Sequence, residues 1–250
     1  MGLFDKLKKN EIKNETNNEL PPISENDMGR IHTIMEDIKQ HDYDFYNSLQ
    51  NISLYAFPLE SNTKLLPVTD VAHKMISELH YCFKAKSILK ILDNNFISSE
   101  TYKKFMVYFT DGFIFNDLEE IDNCSDKNLI EELSRSNYLA YFYAYILGLI
   151  DKMPNNPKDC DEIQLCNIVT KFNSYAELLN NCKMLDKQSI LFIADSLVLV
   201  SEYNIYKEKH NIPFDKEIRN YKTIQRFCSF YVLSYDVDAM INKLKKLKEQ

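Results

Sequence analysis

Glycine is almost missing from this chain: there are 4 in 250 residues, at Gly2, Gly29, Gly112 and Gly148, and no two lie close together. Glycine is the residue that accepts positive φ without strain, and tight hairpins, closed barrels and phosphate-cradling loops all draw on it. A chain so poor in it is steered away from all-β folds and from glycine-rich nucleotide loops. Abundant Leu, Ile, Lys, Glu and Asn point instead to helices. With 45% hydrophobic residues, the chain can bury a full core, as one large domain or two small ones. The expected fold is mostly α, a multi-helix orthogonal bundle of about eight helices, with at most a small N-terminal hairpin or strand.

Charge narrows the function classes. A formal net charge of -7 and a pI near 5.3 argue against a general nucleic-acid binder and suit solubility or a basic protein partner. The opening residues Met1 to Lys9 lack the apolar stretch and cleavage site of a secretory signal, so cytoplasmic residence is the default expectation. The same head is a short amphipathic turn, with Leu3, Phe4 and Leu7 against Lys6, Lys8 and Lys9, that could touch anionic lipid. Six cysteines are scattered through helical patterns in a chain large enough to fold without staples, which favours buried, reduced thiols.

Periodicity divides the chain into a head and linker over 1–26, an N-terminal segment over 27–68, and a helical domain over 69–250. Ile31, Ile34, Met35 and Ile38 mark a first helix from about Met28 to Gln40, with Asp27 as its N-cap. Asn51 to Phe57 is the best strand candidate, with Tyr43 to Tyr46 as a hairpin partner. From Thr69, one helix face carries Val71, Met75, Leu79 and Phe83. Ser98 or Ser99 then caps a helix expected to stop at Gly112, and Ser125 or Asp126 opens a long one. Asp161, Ser174 with Glu177, Asp186 and Asp215 are further helix starts, and a lysine-rich helix from Val237 to Lys248 closes the chain.

Five stretches carry a resemblance. LGLIDKMP (Leu147 to Pro154), CDEIQL (Cys160 to Leu165), FNSYAELLNNCKML (Phe172 to Leu185), the helix with Ala194 and Asp195, and VTDVAHKMISEL (Val68 to Leu79) are similar, in order and spacing, to an uncharacterised bacterial family, domain of unknown function four-two-seven-two. The resemblance spans about Thr69 to Tyr235 and implies a helical fold with no established activity. Aligned on Gly148, the family's arginine, glutamate and tryptophan fall on Ser136, Tyr138 and Tyr145. Gln225 and Arg226 match its later Glu-Arg pair, while Val232 stands for a tryptophan.

The candidate site residues follow from side-chain type and helical spacing. Tyr138, Tyr141 and Tyr145 share one helix face and read either as an aromatic pocket or as core tyrosines whose phenols reach the rim. A buried Arg226 needs a carboxylate, and Asp195 or Glu202 on the preceding helix are its natural partners, as a brace or as a substrate anchor. His73, His80 and Cys82 lack metal-ligand spacing, as do Cys160, Cys166 and Cys182; no metal, cofactor or catalytic set is expected. Acidic residues from Asp111 to Glu132 form a solvated run or a docking face for a cationic partner. The apolar runs at Tyr138 to Leu149 and Ile190 to Val200 are short of the roughly 20 residues a membrane span needs. These features favour a helical binding or interaction module, immunity-like in its acidity. An enzyme of hydrolase type, with a pocket on separated helices, is the second reading, and peripheral membrane attachment through the head is the third.

Overall fold

A computed structural model describes residues 23–109, 125–154 and 156–236. The head, Gly112, most of the acidic run and the C-terminal lysine helix lie outside them. Among the described residues there are ten α-helices and no strand. They are α1 (Glu25–His41), α2 (Tyr43–Ser48), α3 (Val68–Ile88), α4 (Asn94–Ile97), α5 (Glu100–Tyr108), α6 (Asp126–Ile146), α7 (Glu162–Val169), α8 (Tyr175–Asn181), α9 (Lys187–Lys209) and α10 (Lys216–Val232).

Side-chain caps explain most of the starts. Ser24, Asp42, Asp93, Ser99, Ser125, Asp161, Ser174 and Asp215 each accept a hydrogen bond from a backbone amide two or three residues on. That satisfies donors a helix start leaves orphaned. At α8 the Ser174 hydroxyl takes the Glu177 amide at 3.1 Å, and Glu177 reaches back to the amide of Asn173 at 2.7 Å. The reciprocal bond of a capping box thus lands one residue early. Asp27 is not the cap of α1: the helix begins earlier, at Ser24, and Asp27 is fully buried inside its first turn.

Four helix ends share one closure. At Lys90, Asn211, Ser234 and Gly148 the chain turns into the left-handed region, with φ of 56°, 54°, 47° and 68°. In each, that residue's amide and the next one bond back to carbonyls three and five residues behind, as in Leu149 N–H to Ala144 O at 2.9 Å. Only one of the four is glycine. There a Cβ would lie 2.5 Å from the Lys183 carbonyl oxygen, so this position tolerates no side chain.

The expected strand from Asn51 to Phe57 is instead a run of 3-10 turns, Leu49–Asn51 and Leu54–Ala56, after the short helix α2. Its backbone is satisfied locally: Ala56 N–H bonds Ser53 O, Phe57 N–H bonds Leu54 O, and Ser53 caps Tyr55. Leu54, Phe57 and Leu59 are buried, so its apolar residues serve the core without a sheet. A strand needs a lateral partner for its amides, and Tyr43 to Tyr46 had already been drawn into α2 by the Asp42 cap.

The chain forms two compact units. In the first, residues 23–65, 187–222 and 229–236, α9 packs on α1 and α2, and the Phe45 ring lies 4.6 Å from that of Tyr203. In the second, residues 66–186 and 223–228, α3 and α6 make the most extensive helix pairing. Val71, Met75, Leu79 and Phe83 are all buried on α3, as their spacing predicts, and Phe83 meets Phe96, Tyr102 and Phe105 in an aromatic cluster. The sequence boundary at 68/69 is drawn in the structure after Leu65, and Lys187–Lys222 joins the N-terminal segment rather than a continuous C-terminal domain.

Candidate functional site

Two features of different chemistry stand out, one in each unit. The first is a buried charge cluster on α1 and α9. Arg30 donates through Nε to Asp195 Oδ2 at 2.6 Å, through Nη2 to Asp27 Oδ1 at 2.8 Å and to the Pro58 carbonyl at 3.3 Å, and through Nη1 to Gln188 Oε1 at 3.2 Å. Both aspartates are fully buried and the Arg30 side chain is 6% exposed. Beside it, Lys187 Nζ donates to the carbonyls of Glu60 and Thr63, and the Glu60 amide donates to Asp27. Side chains of α1 and α9 therefore grip the backbone of residues 58–63 at four atoms, which replaces the sheet pairing that segment lacks.

This cluster corrects the expected pairing of Asp195. Its guanidinium partner is Arg30, from the first helix of the chain; Arg226 is half-buried in the second unit, and Glu202 is half-buried two turns beyond Asp195 on α9. Burial pushes the Asp195 carboxyl up to about 7, against the pull of Arg30, and Asp27 adds to the rise. The signal for Arg30 was present. Asp27, Arg30, Ile31, Ile34 and Met35 form one buried stripe of α1, and opposite charges three apart on an apolar stripe mark an internal ion pair. What no local pattern supplies is the partner 165 residues away.

The second feature is a cleft of about 370 Å³ in the second unit, lined by Tyr141, Ile150, Lys152, Met153, Pro154, Gln164 and Ile168. Its wall is the LGLIDKMP turn, which exists because Gly148 closes α6 and because Lys183 N–H and Leu185 N–H bond the carbonyls of Leu147 and Ile146. Of the three tyrosines expected on one face, Tyr138 and Tyr141 are buried and Tyr145 is half-buried. Only Tyr141 reaches the cleft, its phenol 2.9 Å from the Asp161 carbonyl and 3.1 Å from Gln164 Oε1. The stripe is thus chiefly core, with one member holding the N-cap of α7 at the rim of a cavity.

Lys86 pairs with Glu162, and Asn137 donates to Glu162 and to the Cys160 carbonyl, joining α3, α6 and α7. His73 is exposed while burial lowers His80 to about 4; Cys82 is buried with its Sγ 3.9 Å from the Leu133 carbonyl. Burial raises Cys160, Cys166 and Cys228 to about 12, and the five described cysteines form no disulfide. Among the described residues no three His, Cys, Asp or Glu side chains gather closely enough to hold a metal ion. One described helix, Lys187–Lys209, is long and apolar enough by length and composition to cross a membrane, which the 11-residue apolar run alone did not indicate. It carries Asp195, buried in the ion pair with Arg30.

No protein-family model, curated protein or solved structure matches this chain.

Proposed function

We propose that this chain is a helical binding module whose ligand site is the cleft beside Tyr141, and that the ligand is a small apolar molecule or side chain bearing a carboxylate. The observation that carries this reading is the lining itself. Ile150, Met153, Pro154, Ile168 and the Tyr141 ring offer apolar walls, and Lys152 offers one exposed cation at the same cleft. Ligand sites of this kind are mostly apolar, with few polar groups fixing orientation. Gln164 adds a second polar contact. Its Oε1 lies 3.1 Å from the Tyr141 phenol, which also donates to the Asp161 carbonyl at 2.9 Å.

The reading needs no chemistry from the chain. Asp195, which burial moves toward neutrality more than any other described carboxylate, is sealed against Arg30 and serves as a brace. Free, buried thiols support residence in a reducing compartment, the cytoplasm of a bacterium in this proposal. Saturation-transfer NMR of the full chain with phenylacetate, 3-phenylpropionate and octanoate tests the site. Binding is expected, weakened at least about ten-fold by Ile168→Trp, which fills the cleft, and by Lys152→Glu, which inverts its charge. Absence of transfer from all three probes, or equal transfer in both variants, overturns the proposal.

A further inference from the structure

In the first unit two carboxylates share one guanidinium, and they are not equally served. Asp27 accepts from Arg30 Nη2, from the Ser24 hydroxyl at 2.8 Å and from the Glu60 amide at 3.0 and 3.2 Å. Asp195 accepts from Arg30 Nε alone, and its Oδ1 is buried with no hydrogen-bond partner. A carboxylate accepting three donors keeps its charge, whereas a sealed carboxylate with one bare oxygen is better off neutral. If the cluster holds a proton, the proton belongs on Asp195.

We propose that Asp195 is a proton switch of the first unit: the unit takes up a proton on Asp195 Oδ1 as it folds, and loss of that proton loosens the grip of α1 and α9 on residues 58–63. The groups around it fix the direction. From α1 come Arg30 and Asp27, from the 3-10 segment the Pro58 carbonyl and the Glu60 amide, and from α9 itself Gln188 with Lys187 before it. Asp42, on Tyr203, is the acidic group that α2 brings to α9, two turns beyond Asp195. Ionised, Asp195 leaves two negative charges on one positive guanidinium and an unsolvated oxygen. Neutral, it leaves the Asp27–Arg30 pair balanced.

The sign follows. Burial raises the Asp195 carboxyl from 3.8 to about 7, so between those values the folded chain holds a proton the unfolded chain has lost. Stability from this group is therefore present in acid and lost as pH rises toward 7. Urea unfolding of the full chain and of Asp195→Asn, from pH 5 to 8.5, reads it. In the native chain the folding constant should fall, relative to the variant, by up to about ten-fold per pH unit below neutrality and then level off. A constant difference between the two across that range overturns the proposal. Carbon-13 carboxyl NMR of the native chain gives a readout that does not depend on the variant folding. The Asp195 signal should titrate near neutrality. An Asp195 signal unmoved above pH 5 would sink the idea.

Discussion

Arg30 shows how much depends on one side chain when it is buried. Its guanidinium donates to two aspartates, a glutamine and a backbone carbonyl, all within the first unit. Breaking a buried pair costs more than the pair contributes, because the abandoned charges stay behind. Arg30→Leu should lower unfolding free energy by about 3–5 kcal/mol in denaturant titration. A loss below about 1 kcal/mol would mean that the cluster is open to water. At this scale the sequence was legible in part. Sequence reasoning set Asp195 or Glu202 against Arg226, whereas the structure pairs Asp195 with Arg30; the helix-packed character of Tyr138 and Tyr141 followed from their spacing. The identity of the cation was not legible, because Arg226 and Arg30 are equally charged and only tertiary packing chooses between them.

Among elements, the helix starts were the most readable parts, since Ser99, Ser125, Asp161, Ser174 and Asp215 act through amides two or three residues away. The ends were less so. Ser234 and Lys90 close helices in a conformation that glycine takes without strain, and nothing in their side chains advertises it, whereas Asn211 is of a type that enters this region readily. Lys90→Gly should therefore raise stability by about 0.5–1 kcal/mol, and Gly148→Ala, which drives a Cβ onto the Lys183 backbone, should cost more than about 2 kcal/mol. Thermal unfolding of both variants checks the pair, and opposite signs are the expected result. The 3-10 segment defeated strand reading for a related reason: β-branched and aromatic residues describe a half-buried surface, and a surface can be buried by helices.

For the whole molecule, the two units should answer acid in opposite senses. Burial lowers His80 in the second unit from 6.5 to about 4, so its unfolded state binds more protons in that range and stability is lost as pH falls. The first unit, through Asp195, gains stability over much of the same interval. Hydrogen exchange, corrected for intrinsic rates, should show α3 less protected at pH 5 than at pH 8, and α1 and α9 more protected. Parallel changes in both would refute the assignment of these groups. The helical class was readable from composition and period. The return of Lys187–Lys222 to the N-terminal segment was not, since long-range pairing leaves no local trace.

That discontinuity has a consequence in time. At a synthesis rate of about 5–20 residues per second, the 165 residues between Arg30 and Asp195 separate their emergence by roughly 8–30 s. Residues 66–186 of the second unit are all made within that interval. Throughout it the Asp27–Arg30 pair stands without Asp195, so the first unit cannot close until its long helix α9 is made.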